Sequence, residues 1–229
     1  MEHLKINYVF DFNSPQKINY ELEFDEKTMS YVTPSSKEPA PDWTNLEFNK
    51  CSHCPLNSTQ NPQCPIALNL SRVASHFKNE KSFRETTVGV ITRERNYIKK
   101  LSLQEGLFSI FGLIMATSGC PHMNFLKPMA RFHLPFSTQM ETTVRSLSMF
   151  LLRQHILERK TKDAPPQNEH LEELYANVTK VNVGVIGRIR TVVKGDANLN
   201  ALIILDNFAT VLSSGMRDSL EEIQALFFP

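Results

Sequence analysis

Four cysteines constrain this chain more than any other feature. Cys51, Cys54 and Cys64 lie in CSHCPLNSTQNPQCP and Cys120 lies in MATSGCPHM; they are the only cysteines in 229 residues. Cys54, Cys64 and Cys120 are each followed directly by proline. A pair separated by two residues, a third ten positions on and a distant fourth is how one chain closes a tetrahedral thiolate site. Such a site would tie an irregular loop to a remote segment, whatever else the fold does. Zn²⁺ is the first reading of the cofactor, with Cys51, Cys54, Cys64 and Cys120 as its ligands. The alternative is an iron–sulfur cluster, where singleton ligands and prolines after cysteines are familiar. A third reading has no metal, only reduced core thiols or a redox pair. His53 and His122 sit in the same segments, and either could replace a thiolate to give a Cys₃His site.

Composition narrows the class. Twenty-five Lys and Arg against 24 Asp and Glu leave a formal net charge of +1, which argues against a general nucleic-acid or anionic-membrane binder. The basic run from Arg72 to Lys100 reads as a solvated face. The most apolar stretch, Gly106 to Ala116, falls far short of the roughly 20 residues a membrane helix needs. The N-terminus turns polar within four residues, so no signal peptide is expected and the protein is read as cytoplasmic. In a reducing compartment four thiols point to metal ligation rather than two disulfides.

Along the chain, Leu4, Ile6, Tyr8, Phe10 and Phe12 alternate with polar residues. After Asn13-Ser14-Pro15, Ile18, Tyr20, Leu22 and Phe24 do the same. Period two on both sides of a turn predicts an amphipathic β-hairpin, and Thr86–Thr92 supplies the remaining strand signal. Residues 32–66 carry six prolines and read as an irregular loop, anchored by Trp43, Leu46 and Phe48 and ordered by metal. From residue 104 the period becomes helical. A buried helix ends at Ser118-Gly119. Thr138 and Glu141 form a capping box opening a helix to about Arg159, with Val144, Leu147 and Leu151 as its apolar stripe. Residues 160–168 read as a linker. Leu171, Leu174, Val178, Val181, Val185, Ile189 and Val192 mark a long helix with one apolar stripe, available to a partner, to a second copy or to its own bundle. Gly195-Asp196 supplies a stop and a new cap. A further helix uses Leu199, Leu202, Ile203, Phe208, Val211 and Leu212, and a last one begins near Asp218 or Ser219.

A second constellation follows Cys120: Lys127, Arg131, His133, Glu141 and Arg145. It could bind an anion or perform acid–base chemistry. Against that, Glu141 is explained by the capping box, Glu141 and Arg145 have the spacing of a helix-surface ion pair, and His133 stands in the apolar setting RFHLPF. Met115, Met123, Met129 and Met140 read as core packing rather than soft-metal ligands. No nucleophile elbow, phosphate loop, dinucleotide fingerprint or HExxH is present. Gly184 and Gly187 in GVIGRIR read as positions of close helix packing.

With its cysteine-bearing loop and the segment MATSGCPHMNFLKPMARFHLPFS, the chain resembles an uncharacterised bacterial family. That resemblance implies no activity and no catalytic residues. The expected architecture is α+β: an N-terminal antiparallel hairpin and sheet with a Cys-rich metal-binding loop, then a C-terminal helical bundle. Residues 1–160 are read as an α+β domain containing the site, and 161–229 as a helical region. The expected role is a non-enzymatic metal-binding interaction or regulatory module, with a protein partner or homo-oligomer formed through the C-terminal helices. The rivals are an iron–sulfur redox protein or sensor, and an enzyme using Arg131 and His133.

Overall fold

The alternation at the N-terminus becomes the centre of a sheet. The computed structural model describes residues 3–15, 17–35, 38–161, 169–214, 221, 223–224 and 227–228. Strands β1 (His3–Asp11) and β2 (Ile18–Asp25) pair antiparallel, with Ile6 opposite Leu22 and Tyr8 opposite Tyr20. β3 (Glu85–Ile91) pairs with the other side of β1, setting Phe10 opposite Val88, and β4 (Asn96–Ser102) pairs with β3. All pairings are antiparallel, and the order is β2-β1-β3-β4. Because side chains alternate across a strand, Leu4, Ile6, Tyr8, Phe10, Tyr20, Leu22, Phe24, Val88 and Val90 share one buried face. Each such side chain contributes about 1.5–3 kcal/mol on leaving water.

Two elements depart from expectation. β4, NYIKKLS, buries only Leu101 fully and leaves Lys99 and Lys100 in solvent. That is the pattern of a charged edge strand rather than of strict alternation. α1 (Pro65–His76) emerges directly from the irregular stretch, with Cys64 at its N-cap and Pro65 in its first turn. Pro suits that position because its missing N–H would have no intrahelical partner. Ile66, Leu70, Val73 and Phe77 are buried at helical spacing.

α2 (Leu103–Thr117) is the buried helix expected from its composition. It begins earlier than the period suggests, at a capping box in which Ser102 N–H donates to Glu105 Oε2 at 2.8 Å. It ends at Gly119, whose φ of +93° is the left-handed conformation glycine tolerates. A 3₁₀ turn at Pro121–Leu126 and the short α3 (Lys127–Arg131) follow. α4 (Gln139–Thr161) opens on the expected reciprocal cap: Thr138 N–H to Glu141 Oε2 at 2.8 Å, and Glu141 N–H to Thr138 Oγ1 at 3.2 Å. Its buried face, however, is Thr143, Ser146, Phe150 and Gln154, while Val144 and Leu151 of the expected stripe are exposed together with Leu152 and Ile156. Ser146 is drawn inward by a 2.6 Å hydrogen bond with the Tyr175 hydroxyl, a long-range partner invisible to local periodicity.

α5 (Glu169–Arg190) and α6 (Ala197–Ser214) pack on each other, and α6 also packs on α2. The α5 stripe is internal: Leu171, Val178, Val181, Val185 and Ile189 are all buried within this chain. Asp196 does more than start α6; its carboxylate accepts hydrogen bonds from Ser82 N–H at 2.8 Å and Ser82 O–H at 3.1 Å. Buried residues from β1 to α6 form one hydrophobic cluster. The linker read at 160–168 falls, from 162 on, outside the described residues, as does the proposed start of a last helix near Asp218. No single helix among the described residues is long and apolar enough to cross a membrane.

Candidate metal centre

The cysteine-bearing loop lies against α5, held there by two kinds of contact and braced within itself by a third. Arg188 is only 1% exposed. Its Nη1 donates to the carbonyls of Trp43 at 2.8 Å and Asn45 at 2.7 Å, and its Nη2 to the carbonyl of Leu46 at 2.8 Å. One guanidinium thus satisfies three carbonyls of an irregular segment with no ladder of its own. Trp43 and Leu46 are buried as expected, but Phe48 reaches the surface. Next, residues 44–46 and 62–64 run antiparallel: Cys64 N–H donates to Thr44 O at 2.7 Å and Leu46 N–H to Pro62 O at 2.9 Å. Finally, Gly184 lets the loop touch the helix. A Cβ there would stand 2.6 Å from Cys51 Sγ, and the nearest neighbours of Gly187 are atoms of Asn49. These glycines admit a loop, not the second helix expected from the sequence.

Histidines join the two cysteine segments. His53 of the Cys51–Cys54 turn and His122 after Cys120 stack with ring centroids 4.0 Å apart. His122 Nε2 donates to His53 O at 3.0 Å, and His53 Nε2 donates to Asn177 O at 3.1 Å. A carbonyl can only accept, so both rings carry their proton on Nε2. His53 Nδ1 is therefore a buried lone pair, and it has no partner.

The thiols themselves are half-buried at Cys51, Cys54 and Cys64 and buried at Cys120. Burial pushes the Cys51 thiol up to about 11, and the charges of Cys64 and Cys54 push it the same way, while Arg188 opposes them. Burial likewise pushes Cys120 up to about 12, with Cys64, Cys51 and Cys54 all adding to it. Cys120, remote in sequence, is thus an electrostatic neighbour of the other three. The Cys51 thiol faces the Val181 carbonyl of α5 at 4.0 Å. Among the described residues, no three His, Cys, Asp or Glu side chains are grouped as metal ligands.

The second constellation is dispersed. Lys127 reaches Ser30 Oγ at 3.2 Å, and Arg131 pairs with Glu94 at 3.4 Å. His133 Nε2 meets the Tyr8 hydroxyl at 2.5 Å, and Tyr8 also meets Ser109 Oγ at 2.9 Å. Burial pulls His133 down to about 3, so its ring is neutral at neutral pH. Arg145 does not pair with Glu141. Its Nη2 instead donates to Met129 O at 3.0 Å and Phe132 O at 2.7 Å, the carbonyls that close α3. Residues 6–228 match a family described as a domain of unknown function, DUF6901.

The chain belongs to the DUF6901 family. Neither a curated protein nor a solved structure matches it. Sequence reasoning about this DUF6901 protein missed Arg188 and the Tyr8–His133–Ser109 chain. The signal for Arg188 was its place, one residue after Gly187 in a helix whose neighbouring glycines invite a loop.

Proposed function

We propose that this DUF6901 protein is a non-enzymatic metal-binding protein in which Cys51, Cys54, Cys64 and Cys120 hold one Zn²⁺ as a structural staple. The observation that carries the reading is the joining of the two cysteine segments by the His53–His122 stack, with Cys120 in electrostatic range of Cys51, Cys54 and Cys64. The donor chemistry fits: thiolates ligate Zn²⁺ in tetrahedral geometry at about 2.3 Å, and the Arg188 guanidinium acts on Cys51 with the opposite charge. His53 Nδ1 is a further donor in the same segments, its ring oriented by a carbonyl at the other nitrogen as metal-bound imidazoles are. The staple would fix a loop that buries few apolar side chains of its own, and binding energy would appear as folding energy. The role that follows is a scaffold for interaction or regulation.

Elemental analysis combined with an absorption spectrum of protein prepared without oxygen tests this directly. One zinc per chain with no visible absorption is the expected result. A visible thiolate–iron band would replace zinc by an iron–sulfur cluster at the same cysteines. A metal-free chain from metal-supplemented expression would overturn the proposal.

A further inference from the structure

A cavity of about 140 Å³ lies away from the cysteines, between α2, α3, α4, α5 and α6. Its wall is largely apolar and includes Met115, Met123 and Met129, the flexible side chains that re-shape most readily around a guest. Two polar groups in that wall have hydrogen-bonding capacity to spare. Arg145 lines the cavity, and the hydrogen bonds it makes among the described residues leave from Nη2, to the carbonyls of Met129 and Phe132. Burial is the largest influence on its pKa and lowers it, while Tyr175, Tyr97 and Glu141 act in the opposite direction. Asn182, 1% exposed, donates through Nδ2 to Asp206 Oδ1 at 3.2 Å, which fixes the orientation of its amide. Its Oδ1 is then a buried acceptor with no donor. Buried polar atoms are almost always satisfied, by protein, by water or by a ligand.

We infer that this cavity binds a small hydroxylated carboxylic acid, with its carboxylate on Arg145, its ring or short chain among the methionines, and its hydroxyl donating to Asn182 Oδ1. Size agrees: a cavity of about 150 Å³ holds a benzene ring. Chemistry agrees as well, since both Nη2 hydrogens of Arg145 go to carbonyls while Nη1 and Nε are left to donate to a carboxylate, and an apolar pocket with a few convergent polar groups is the usual form of a ligand site. The site is independent of the metal proposal.

Calorimetric titration of the full-length protein with 4-hydroxybenzoate, and with its neutral methyl ester, tests the assignment. The acid is expected to bind with Kd below about 1 mM and the ester at least about tenfold more weakly. Arg145→Gln should remove the preference for the acid. Because Arg145 also holds the end of α3, a second variant leaves it untouched: Ala209→Leu fills the cavity from α6 and should abolish binding while thermal stability is kept. Equal binding of acid and ester, undiminished binding to Ala209→Leu, or no binding of the acid at about 1 mM would each overturn the inference.

Discussion

The sheet and the cysteine loop are held in opposite ways. In the sheet, stability is spread over nine side chains that repeat every second residue on one face, and each contributes a similar amount by leaving water. In the loop, residues 43–64 depend on a few singular contacts reaching across the chain: one arginine on three carbonyls, one glycine beneath a thiol, one histidine stack. Distributed burial degrades gradually under mutation. Singular polar contacts fail one at a time, and each failure exposes a whole segment.

That contrast can be broken at its strongest point first. Phe10→Ala, in the middle of β1, should cost about 3–5 kcal/mol in chemical denaturation while leaving the position of the loop unaltered, because neighbours in the sheet persist. Arg188→Met should cost about 3 kcal/mol, since three loop carbonyls lose their donor in a site closed to water. Its effect should concentrate in residues 43–46, read as faster amide exchange there than in β1. If exchange instead rises uniformly, the loop is not held by a local clamp.

A smaller effect concerns pH. His133 is neutral in the fold, and its pKa is lowered from the ordinary value to about 3 by burial beside the Tyr8 hydroxyl. The unfolded chain takes up a proton near the ordinary histidine pKa of about 6.5, so between there and pH 3 it binds more protons than the folded chain. Stability is therefore full above that range and falls with acidification, by about 2 kcal/mol near pH 5. Urea midpoints measured at pH 7 and pH 4.5 should differ less for the His133→Asn variant than for wild type. An equal acid loss in both would assign the dependence to other groups. Smallest of all in stability is Gly184→Ala. A Cβ at 2.6 Å from Cys51 Sγ forces the thiol to turn aside, which should cost about 1 kcal/mol yet weaken metal retention markedly on dialysis against a chelator. Unchanged retention would separate Cys51 from the site.

The same contrast explains what could be read from sequence. The hairpin was legible because Leu4 to Phe12 and Ile18 to Phe24 carry their own period, and the Thr138–Glu141 cap because both partners are three residues apart. β4 was not, because an exposed edge strand has little buried pattern to display. α1 was hidden by its setting among prolines, although Pro65 with Ile66, Leu70 and Val73 is a start signal followed by a helical stripe. The face of α4 was misread because Ser146 is buried by a hydroxyl on α5, 29 residues away. Arg145 was paired by spacing with Glu141, but the end of α3 offered it carbonyls instead. Local periodicity encodes apolar burial; it cannot announce a polar partner that only the fold brings near. The cysteine spacing is an intermediate case, for it signals a meeting of segments without stating the geometry.

The most direct test of the staple is zinc content per chain in the Cys120→Ser variant beside wild type, each purified folded and without oxygen. The account predicts one zinc in wild type, and in the variant a fraction of that with a lower thermal midpoint. Equal zinc and an equal midpoint would contradict it, because the remote cysteine would then not be part of the site.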